Sequence, residues 1–343
     1  MNSTNSSNSI NSHGGYSGDR KGVLDFSLSI NPLGPPPAVK ELLRRGRDCL
    51  SRYPQPYSRD LILRLAQYKN ISPDNLLITN GSIEGIYIVA RLLGGKSVFI
   101  PAPTFSEYER AVRVNRGRCV FGLSSDIDAI FICNPNNPTG TVMSREDLEQ
   151  LVRQCEKNDV LLIVDEAFVD FLPGADSVSL VGRCPRHSHL LVISSFTKLF
   201  ALAGLRIGYI AGHRRLIGRL RRFCFPWAVN CLSQQAAGAA LYDTAYIGKT
   251  RRFVIKEREF LLRRLSAIRG LTAYKSAANF ILCRVTDKRN DAPGLTKALL
   301  KQGIFIRDCS NFRGLDNRYF RLGVKRRREN IKLLCELEKS LRV

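Results

Sequence analysis

The chain has 343 residues and is strongly basic, with 53 lysines and arginines against 30 aspartates and glutamates and a formal net charge of +23. Hydrophobic residues at 44% and aromatic residues at 8% are ordinary for a globular protein with a large core. No apolar run is long enough for a transmembrane helix, so we do not expect the chain to span a membrane. Residues 1–12 are polar and lack the regions of a secretory signal, which predicts a disordered tail and a cytoplasmic location.

The positive charge is distributed in short groups of arginine and lysine, for example Arg219–Arg222 and Lys325–Arg328. Several groups fall in amphipathic patterns, where charged residues are typical of a solvated helix face. No known nucleic-acid-binding motif accompanies them. Nucleic-acid binding is therefore kept as an alternative from another functional class, and a positive field would equally attract an anionic substrate.

The ten cysteines are scattered along the chain, without close pairs and without a nearby pair of histidines. This spacing is wrong for a zinc site and for a small disulfide scaffold. We expect free thiols and no metal.

The first recognisable pattern follows the polar tail. The tripeptide HGG at 13–15 precedes VLDFSLSINPLGPPP at 23–37, where a short strand pattern breaks at an Asn-Pro pair. Three consecutive prolines cannot continue a strand or lie inside a helix, so this segment is predicted to be an extended arm. A basic amphipathic helix is predicted over 40–50 and a second helix over 60–68, with the loop RYP at 52–54 between them.

A strand-to-helix turn, NGSI, occupies residues 80–83. It joins a strand predicted over 76–79 to a helix predicted over 83–93. Glycine and serine at such a turn expose backbone N–H groups at a helix N-terminus, which suits an anion. Many α/β loops share this composition, so a purely structural turn is the alternative.

Two later strands also end in polar turns. A strand predicted over 98–101 is followed by PTFSEY at 103–108, which is predicted to begin a helix, and a strand over 129–133 is followed by NPNNPTG at 134–140. Two X-Pro pairs and a terminal glycine predict a rigid turn at the carboxyl end of the strand, where α/β sheets place ligands.

A continuous apolar strand is predicted over 160–164, as expected for a parallel sheet covered on both faces. It ends in the sequence DEAF, which begins at Asp165. An acidic side chain at the end of such a strand is costly unless it is paired. Asp165 is therefore predicted to be functional.

The stretch SSFTKLFALAGLRIGY at 194–209 follows an apolar strand predicted over 190–193. Lys198 comes after two hydroxyl residues and precedes Arg206 by eight residues. Lysine can form a Schiff base, and the hydroxyls and the guanidinium can donate to a phosphate. A solvated surface lysine is the alternative, but the surroundings are small and apolar. We interpret this stretch as a site for a phosphorylated aldehyde.

The last third of the chain contributes two candidate arginines. A strand predicted over 278–282 enters a smaller domain, and the segments GIFIRDCSNF at 303–312 and RYFRLGV at 318–324 place Arg307 and Arg321 near strand ends. Paired arginines bind carboxylate or phosphate groups through two parallel hydrogen bonds.

The alternation of strands and helices predicts an α/β fold with a mostly parallel sheet in a large domain and a smaller α+β domain. The expected organisation is a disordered tail at 1–12, an arm with part of the small domain at 13–49, a large domain at 50–235, and a small C-terminal domain at 236–343.

The arm, NPNNPTG, DEAF and the lysine stretch occur in the order found in pyridoxal-phosphate enzymes of the aspartate-aminotransferase fold, fold type I, and the chain resembles this family. It is most similar to the branch with histidinol-phosphate aminotransferase and threonine-phosphate decarboxylase. HGG with DFSLSINPLG, and later RDCSNF, look like the decarboxylases. The resemblance implies pyridoxal 5'-phosphate (PLP) as cofactor and a homodimer.

The resemblance also implies roles for individual residues. Lys198 would hold the cofactor covalently, and Asp165 would pair with its protonated ring nitrogen. Phe105 would stack on the ring, and Asn137 would donate to the ring hydroxyl. The other implied cofactor-binding residues are Gly81, Ser82, Ile83, Ser195, Thr197, Arg206 and, across a subunit boundary, Tyr53. The implied substrate-binding residues are His13, Gly14, Asn31, Arg307 and Arg321.

Two positions depart from the family pattern. Ser29 stands where the family usually has asparagine, and Phe168 stands where the aminotransferases commonly have tyrosine. The second departure predicts that one contact to the ring hydroxyl is missing.

These observations predict a PLP-dependent carboxy-lyase that decarboxylates O-phospho-L-threonine to (R)-1-aminopropan-2-yl phosphate for cobamide (cobalamin) biosynthesis, with Lys198 as candidate acid toward the substrate Cα. One alternative is decarboxylation of O-phospho-L-serine to ethanolamine phosphate for a norcobamide, because one methyl group contributes only ~1–3 kcal/mol to discrimination. A second is histidinol-phosphate aminotransfer. The third, from another class, is a basic nucleic-acid-binding protein on this fold.

Overall fold

The structure is a computed structural model. The residues that it describes are 14–16, 18, 22–45, 49–122 and 126–342. The predicted tail over 1–12 and the candidate residue His13 lie outside this part of the chain.

The N-terminal arm is extended, with one short strand, β1 (Leu24–Asp25). Helix α1 (Pro37–Arg45) begins on the last proline of the run, because a missing backbone N–H costs nothing in the first helical turn. The helix predicted over 40–50 therefore begins three residues earlier than predicted, and its last residue before the undescribed positions 46–48 is Arg45. Helix α2 (Arg59–Lys69) agrees with its prediction to within one residue at each end.

A seven-stranded sheet forms the centre of the molecule, in the order β2-β8-β7-β6-β5-β3-β4. Six strands run in one direction, and β8 is antiparallel to both of its neighbours. The mostly parallel sheet is thus confirmed. The strands are β2 (Leu76–Thr79), β3 (Ser97–Phe99), β4 (Arg118–Val120), β5 (Ala129–Cys133), β6 (Leu161–Asp165), β7 (Leu190–Ser195) and β8 (Gly208–Gly212).

Helices cover both faces of this sheet. Along β7, Leu190 and Val192 pack into the core on one face and Leu191 and Ile193 into the core on the other, which is the two-residue period of a strand. Helices α2, α5, α8 and α9 cover the first face, and α3, α4 and α7 cover the second. Their ranges are α3 (Gly81–Arg91), α4 (Glu107–Val114), α5 (Arg145–Lys157), the short α6 (Ala175–Val178), α7 (Arg214–Arg221), α8 (Cys231–Ala240) and α9 (Thr244–Ser266).

A smaller antiparallel sheet follows in the order β12-β13-β10-β9. The arm joins this part of the molecule, because β1 pairs in parallel with β11 and Phe26 is fully buried in its core. The predicted smaller α+β part is confirmed, while the residue borders of the domains stay a prediction. Its elements are β9 (Leu271–Ala273), β10 (Phe280–Val285), α10 (Ala292–Lys301), β11 (Ile304–Phe305), β12 (Arg307–Asp308), β13 (Tyr319–Gly323) and α11 (Arg327–Arg342).

Within the described ranges, no helix is both long and apolar enough to cross a bilayer. The same residues contain no group of three or more histidine, cysteine or acidic side chains arranged to hold a metal ion. No disulfide joins the cysteines that the structure describes.

Candidate active site

A cavity of about 310 Å³ lies at the carboxyl ends of β5, β6 and β7, where parallel α/β sheets bind ligands. It is bounded on the other side by β12, β13 and the arm. The structure brings most of the predicted site residues to its wall: Gly14, Ser82, Ile83, Phe105, Asn137, Asp165, Thr197, Lys198, Arg206, Arg307 and Arg321.

Lys198 lies just beyond the end of β7, with its side chain in the cavity. Burial, together with the positive charges of Arg321 and Arg206, lowers the pKa of its amine to about 8. Its Nζ lies 5.8 Å from the centroid of the Phe168 ring. At pH 7 about a tenth of such amines are neutral, far more than for an ordinary lysine, so Lys198 is suited to be a nucleophile.

Asp165 is the last residue of β6 and is only 4% exposed. Its Oδ2 accepts a hydrogen bond of 2.8 Å from the Tyr108 hydroxyl, and its Oδ1 accepts one of 2.9 Å from the backbone N–H of Ala167. Burial raises the pKa of Asp165, while both hydrogen bonds and the charge of Lys198 lower it. Each oxygen retains a lone pair, so the carboxylate can still accept from a cationic N–H.

The first turn of α3 forms an anion cradle with Arg206. Gly81 has φ = +79°, and a Cβ there would lie 2.7 Å from Nη2 of Arg206. A side chain at residue 81 would therefore displace the guanidinium from its position beside the start of α3, where the first N–H groups have no partner within the helix. Gly208 is needed as well, since its Cβ would lie 2.7 Å from the backbone N of Ser82.

The two hydroxyls before Lys198 differ in position. Thr197 lines the cavity, whereas Ser195 is buried and does not line it. The two side-chain oxygens lie 2.7 Å apart, and the backbone N–H of Thr197 donates to Oγ of Ser195 over 3.2 Å. Ser195 thus supports Thr197 here, and its predicted direct contact with the cofactor stays a prediction.

The NPNNPTG turn is held in place by hydrogen bonds to its neighbours. The N–H of Asn134 donates to the carbonyl of Asp165 over 2.8 Å, and Nδ2 of Asn136 donates to the carbonyl of Pro103 over 2.9 Å. Asn137 accepts through Oδ1 from Arg321. Because its oxygen is used in this way, the amide hydrogens of Asn137 are available to donate into the cavity.

Two phenylalanines contribute apolar walls. Phe105 lies edge-on to Tyr108, with centroids 5.7 Å apart and an interplanar angle of 86°. It precedes α4, whose first residue is Glu107, so the helix begins within the segment 103–108 as predicted. Phe168 lies edge-on to Phe280 and offers no hydroxyl to a ligand, in keeping with its departure from the family pattern.

Arg307 and Arg321 are direct cross-strand partners in the antiparallel pair β12–β13. Each is only 7% exposed. Burial lowers the pKa of Arg321 to about 10, and the charge of Arg307 contributes to this shift. The Arg321 guanidinium donates to neutral oxygens, those of Asn137 and the Ser27 carbonyl. Two like charges facing each other are destabilising unless an anion lies between or beside them.

The arm contacts both the lysine segment, through the hydrogen bond from the N–H of Asn31 to the carbonyl of Lys198, and Arg321, through the carbonyl of Ser27. Gly14, Ser27, Leu28 and Ser29 line the cavity. Asn31 does not line it, because its amide donates to Leu199 O, Tyr246 Oη and Thr250 Oγ1 at 2.8–3.0 Å. The structure therefore gives Asn31 a structural contact and does not bring it to the predicted substrate site.

Tyr53 also lies away from the cavity of its own chain. Its side chain is 84% exposed, and its ring contacts Trp227 with centroids 5.1 Å apart. The predicted contact with the cofactor across a subunit boundary stays a prediction.

The sequence analysis assigned no role to several residues of the wall, notably Tyr108, Ser27 and Phe312. Tyr108 could have been found from its place three residues after Phe105, one turn further along the same segment. Ser27 alternates with Ser29 on the arm, which is a strand-like signal for a shared face. Phe312 carries no comparable signal, because its ring reaches Arg307 only through the fold of the 309–315 loop.

The donor set fits pyridoxal phosphate. Lys198 provides the amine, Asp165 can accept from the ring nitrogen, and the cradle of α3 with Arg206 suits the phosphate. The glycine at residue 81 is the structural sign, since a Cβ there would lie against the Arg206 guanidinium. Fold and site together define a PLP-dependent enzyme of fold type I.

The model of the family "Aminotransferase class I and II" matches residues 21–337, and the chain belongs to this family. The putative threonine-phosphate decarboxylase of Caldanaerobacter subterraneus is 36% identical over 340 residues, which cover 94% of this chain and 92% of that protein. A histidinol-phosphate aminotransferase of Methanothermobacter thermautotrophicus is 33% identical, with 88% of this chain and 84% of that protein covered. The crystal structure of L-threonine-O-3-phosphate decarboxylase from Porphyromonas gingivalis superposes with a TM-score of 0.86 at 28% identity, covering 93% and 99% of the two chains.

Proposed function

We propose that the protein is a PLP-dependent decarboxylase of O-phospho-L-threonine, which releases CO2 and forms (R)-1-aminopropan-2-yl phosphate for a cobamide. The observation that carries this proposal is the buried pair Arg307–Arg321 on the wall that faces the reactive lysine. A substrate with both a carboxylate and a phosphate provides two anionic groups for such a pair. The 36% identical relative named as a putative threonine-phosphate decarboxylase supports the same choice.

When bound, the cofactor supplies an electron sink for the bond that breaks. The protein would orient the substrate: Arg307 and Arg321 would hold its anionic groups and so decide which bond of Cα is placed for cleavage. Phe105 and Phe168 line the cavity with apolar rings that would exclude water from the bound cofactor. Asp165 would accept a hydrogen bond from the ring nitrogen and favour its protonated form.

Lys198 has a second task in this proposal. With a pKa of about 8, its Nζ is protonated in most of the molecules at pH 7. A positioned ammonium of moderate acidity can return a proton to the substrate Cα after CO2 has left. The same side chain thus serves as nucleophile in its neutral form and as acid in its charged form.

The proposal includes a cytoplasmic homodimer. Its support is an exposed aromatic contact, in which Tyr53 and Trp227 are 84% and 48% exposed, with Phe225 at 67% close by in the sequence. Exposed apolar surface of this kind marks an interaction site. Sedimentation at micromolar concentration is expected to give the mass of two chains.

The reaction is tested by incubating the holoenzyme with O-phosphothreonine, O-phosphoserine or histidinol phosphate, each with and without 2-oxoglutarate. CO2 release from phosphothreonine without 2-oxoglutarate is the expected result. Faster CO2 release from phosphoserine than from phosphothreonine would make phosphoserine the preferred substrate. Glutamate formation from histidinol phosphate without any CO2 release would reject decarboxylation and favour the aminotransferase, the activity named for the 33% identical relative.

Ser29 gives a further prediction. Its hydroxyl is buried in the cavity wall, 4% exposed, and has no hydrogen-bond partner among the described residues. An anionic substrate group would satisfy it, so Ser29→Ala is expected to raise KM for phosphothreonine about 10-fold. Stability should not fall, because no protein hydrogen bond is lost. Steady-state kinetics measure the KM of both variants, with the exposed-site variant Ser188→Ala as control. A wild-type KM in Ser29→Ala would contradict the prediction.

A further inference from the structure

Tyr108 is the only tyrosine among the fully buried large side chains of the described core, and both its ring and its hydroxyl make defined contacts. Its ring stacks on Phe131 of β5, with centroids 4.9 Å apart and an interplanar angle of 12°. It is T-shaped to the Phe105 ring, with centroids 5.7 Å apart. A phenylalanine at residue 108 could make both ring contacts, so the hydroxyl needs a separate explanation.

The hydroxyl donates to Oδ2 of Asp165 over 2.8 Å. A buried tyrosine hydroxyl requires a partner, and here the partner is the carboxylate predicted to face the ring nitrogen of the cofactor. The other oxygen of Asp165 accepts from the Ala167 N–H. Each carboxylate oxygen therefore receives one donor from the protein, which fixes the plane of the carboxylate and directs its remaining lone pairs.

Both hydrogen bonds act on the charge of Asp165. Burial favours the neutral acid, and donors to the carboxylate favour the ion. Without the Tyr108 hydroxyl, Oδ2 would lose its protein donor at a buried position. The carboxylate would become more basic and would draw the shared proton away from a ring nitrogen bound to it.

We propose that Tyr108 is a positioning residue that keeps Asp165 ionised and correctly oriented, and thereby maintains the proton on the pyridine nitrogen of the bound cofactor. Through its T-shaped contact it also orients Phe105, so one side chain influences both the protonation of the ring nitrogen and the position of the residue that would stack on the ring. This inference rests on the cofactor and not on the choice of substrate, so it holds for decarboxylation and for aminotransfer alike.

The test uses the holoenzyme reconstituted with PLP labelled with 15N at the ring nitrogen. The 15N chemical shift reports whether that nitrogen is protonated. For Tyr108→Phe, the resonance is expected to move toward the value of unprotonated pyridine, and the cofactor dissociation constant is expected to rise about 10-fold. Tyr242→Phe is the matched control, because its hydroxyl bonds the exposed backbone carbonyl of Arg64 and its variant should keep the wild-type resonance.

An unchanged 15N resonance in Tyr108→Phe would overturn the proposal, since a role in packing alone leaves the ring nitrogen protonated. If the variant binds too little cofactor for the spectrum, thermal unfolding of the apoenzyme decides instead. Removing the hydroxyl is expected to lower Tm by about 2–4 °C in the wild type and by less in an Asp165→Asn background. Equal losses in both backgrounds would show that the hydroxyl does not act on the carboxylate.

Discussion

Replacing Lys198 with alanine is expected to abolish the visible absorbance band of the bound cofactor and to reduce turnover by about 10^4-fold or more. The amine is the only lysine on the wall of the described cavity, so no neighbour can take over the covalent attachment. Absorbance spectra of wild type and variant after reconstitution with PLP provide the measurement. Lys301→Ala, on the exposed end of α10, is the control and should retain the band. A wild-type spectrum in the Lys198 variant would reject the assignment of the cofactor site.

The same lysine lowers the stability of the apoenzyme. Its folded pKa of about 8 lies below the ordinary value of 10.5, so the folded state binds fewer protons than the unfolded state between these two pH values. Below pH 8 the full cost of burying the charge is present, up to about 3 kcal/mol, and it disappears as pH rises toward 10.5. Lys198→Met should therefore stabilise the apoenzyme at pH 7 and have little effect near pH 10.5. Urea unfolding at both pH values tests this, and a loss of stability at pH 7 would contradict it.

Replacing Arg321 with alanine is expected to lower kcat/KM for phosphothreonine by about 10^2–10^3-fold. The guanidinium is buried, faces Arg307 across the strand pair, and orients Asn137, so its loss removes an anion contact and frees the Asn137 amide to turn. The cofactor band should remain, because Lys198 and Asp165 are untouched. Arg289→Ala, which removes an exposed arginine paired with Asp287, is the control and should have wild-type kinetics.

If the Arg321 variant lost the cofactor band and kept its kcat/KM after saturation with PLP, the arginine would belong to the cofactor site. The kinetic measurement and the spectrum therefore separate the two roles of this residue.

The strand ends of the large sheet could be predicted from the sequence. Apolar runs locate β6 and β7, and in a parallel sheet their carboxyl ends meet at one edge, which is why Asp165 and Lys198 come together as expected. The turn after β5 followed from its prolines and glycine. These features are local, so a linear pattern is sufficient to find them.

The remaining parts of the site depend on tertiary contacts. Nothing in the sequence sets the register that places Arg307 opposite Arg321, since it depends on how the loop between β12 and β13 closes. The resemblance to the family predicts that Asn31 binds substrate, but its amide donates to Leu199, Tyr246 and Thr250, which are distant in sequence. The hydrogen bond of Tyr108 to Asp165 links residues 57 positions apart and has no linear signature.

The arm has a consequence for the size of the substrate. At one end, the carbonyl of Phe26 accepts from Gly323 on the arginine-bearing β13; at the other, the N–H of Asn31 donates to the carbonyl of Lys198. A covalent segment of fixed length therefore spans from the anion-binding strand to the reactive amine. This segment fixes the distance between the arginine-bearing strand and the reactive amine, and so limits the length of the substrate that fits between them. Inserting even one residue into 27–30 would change that distance and the preferred substrate length.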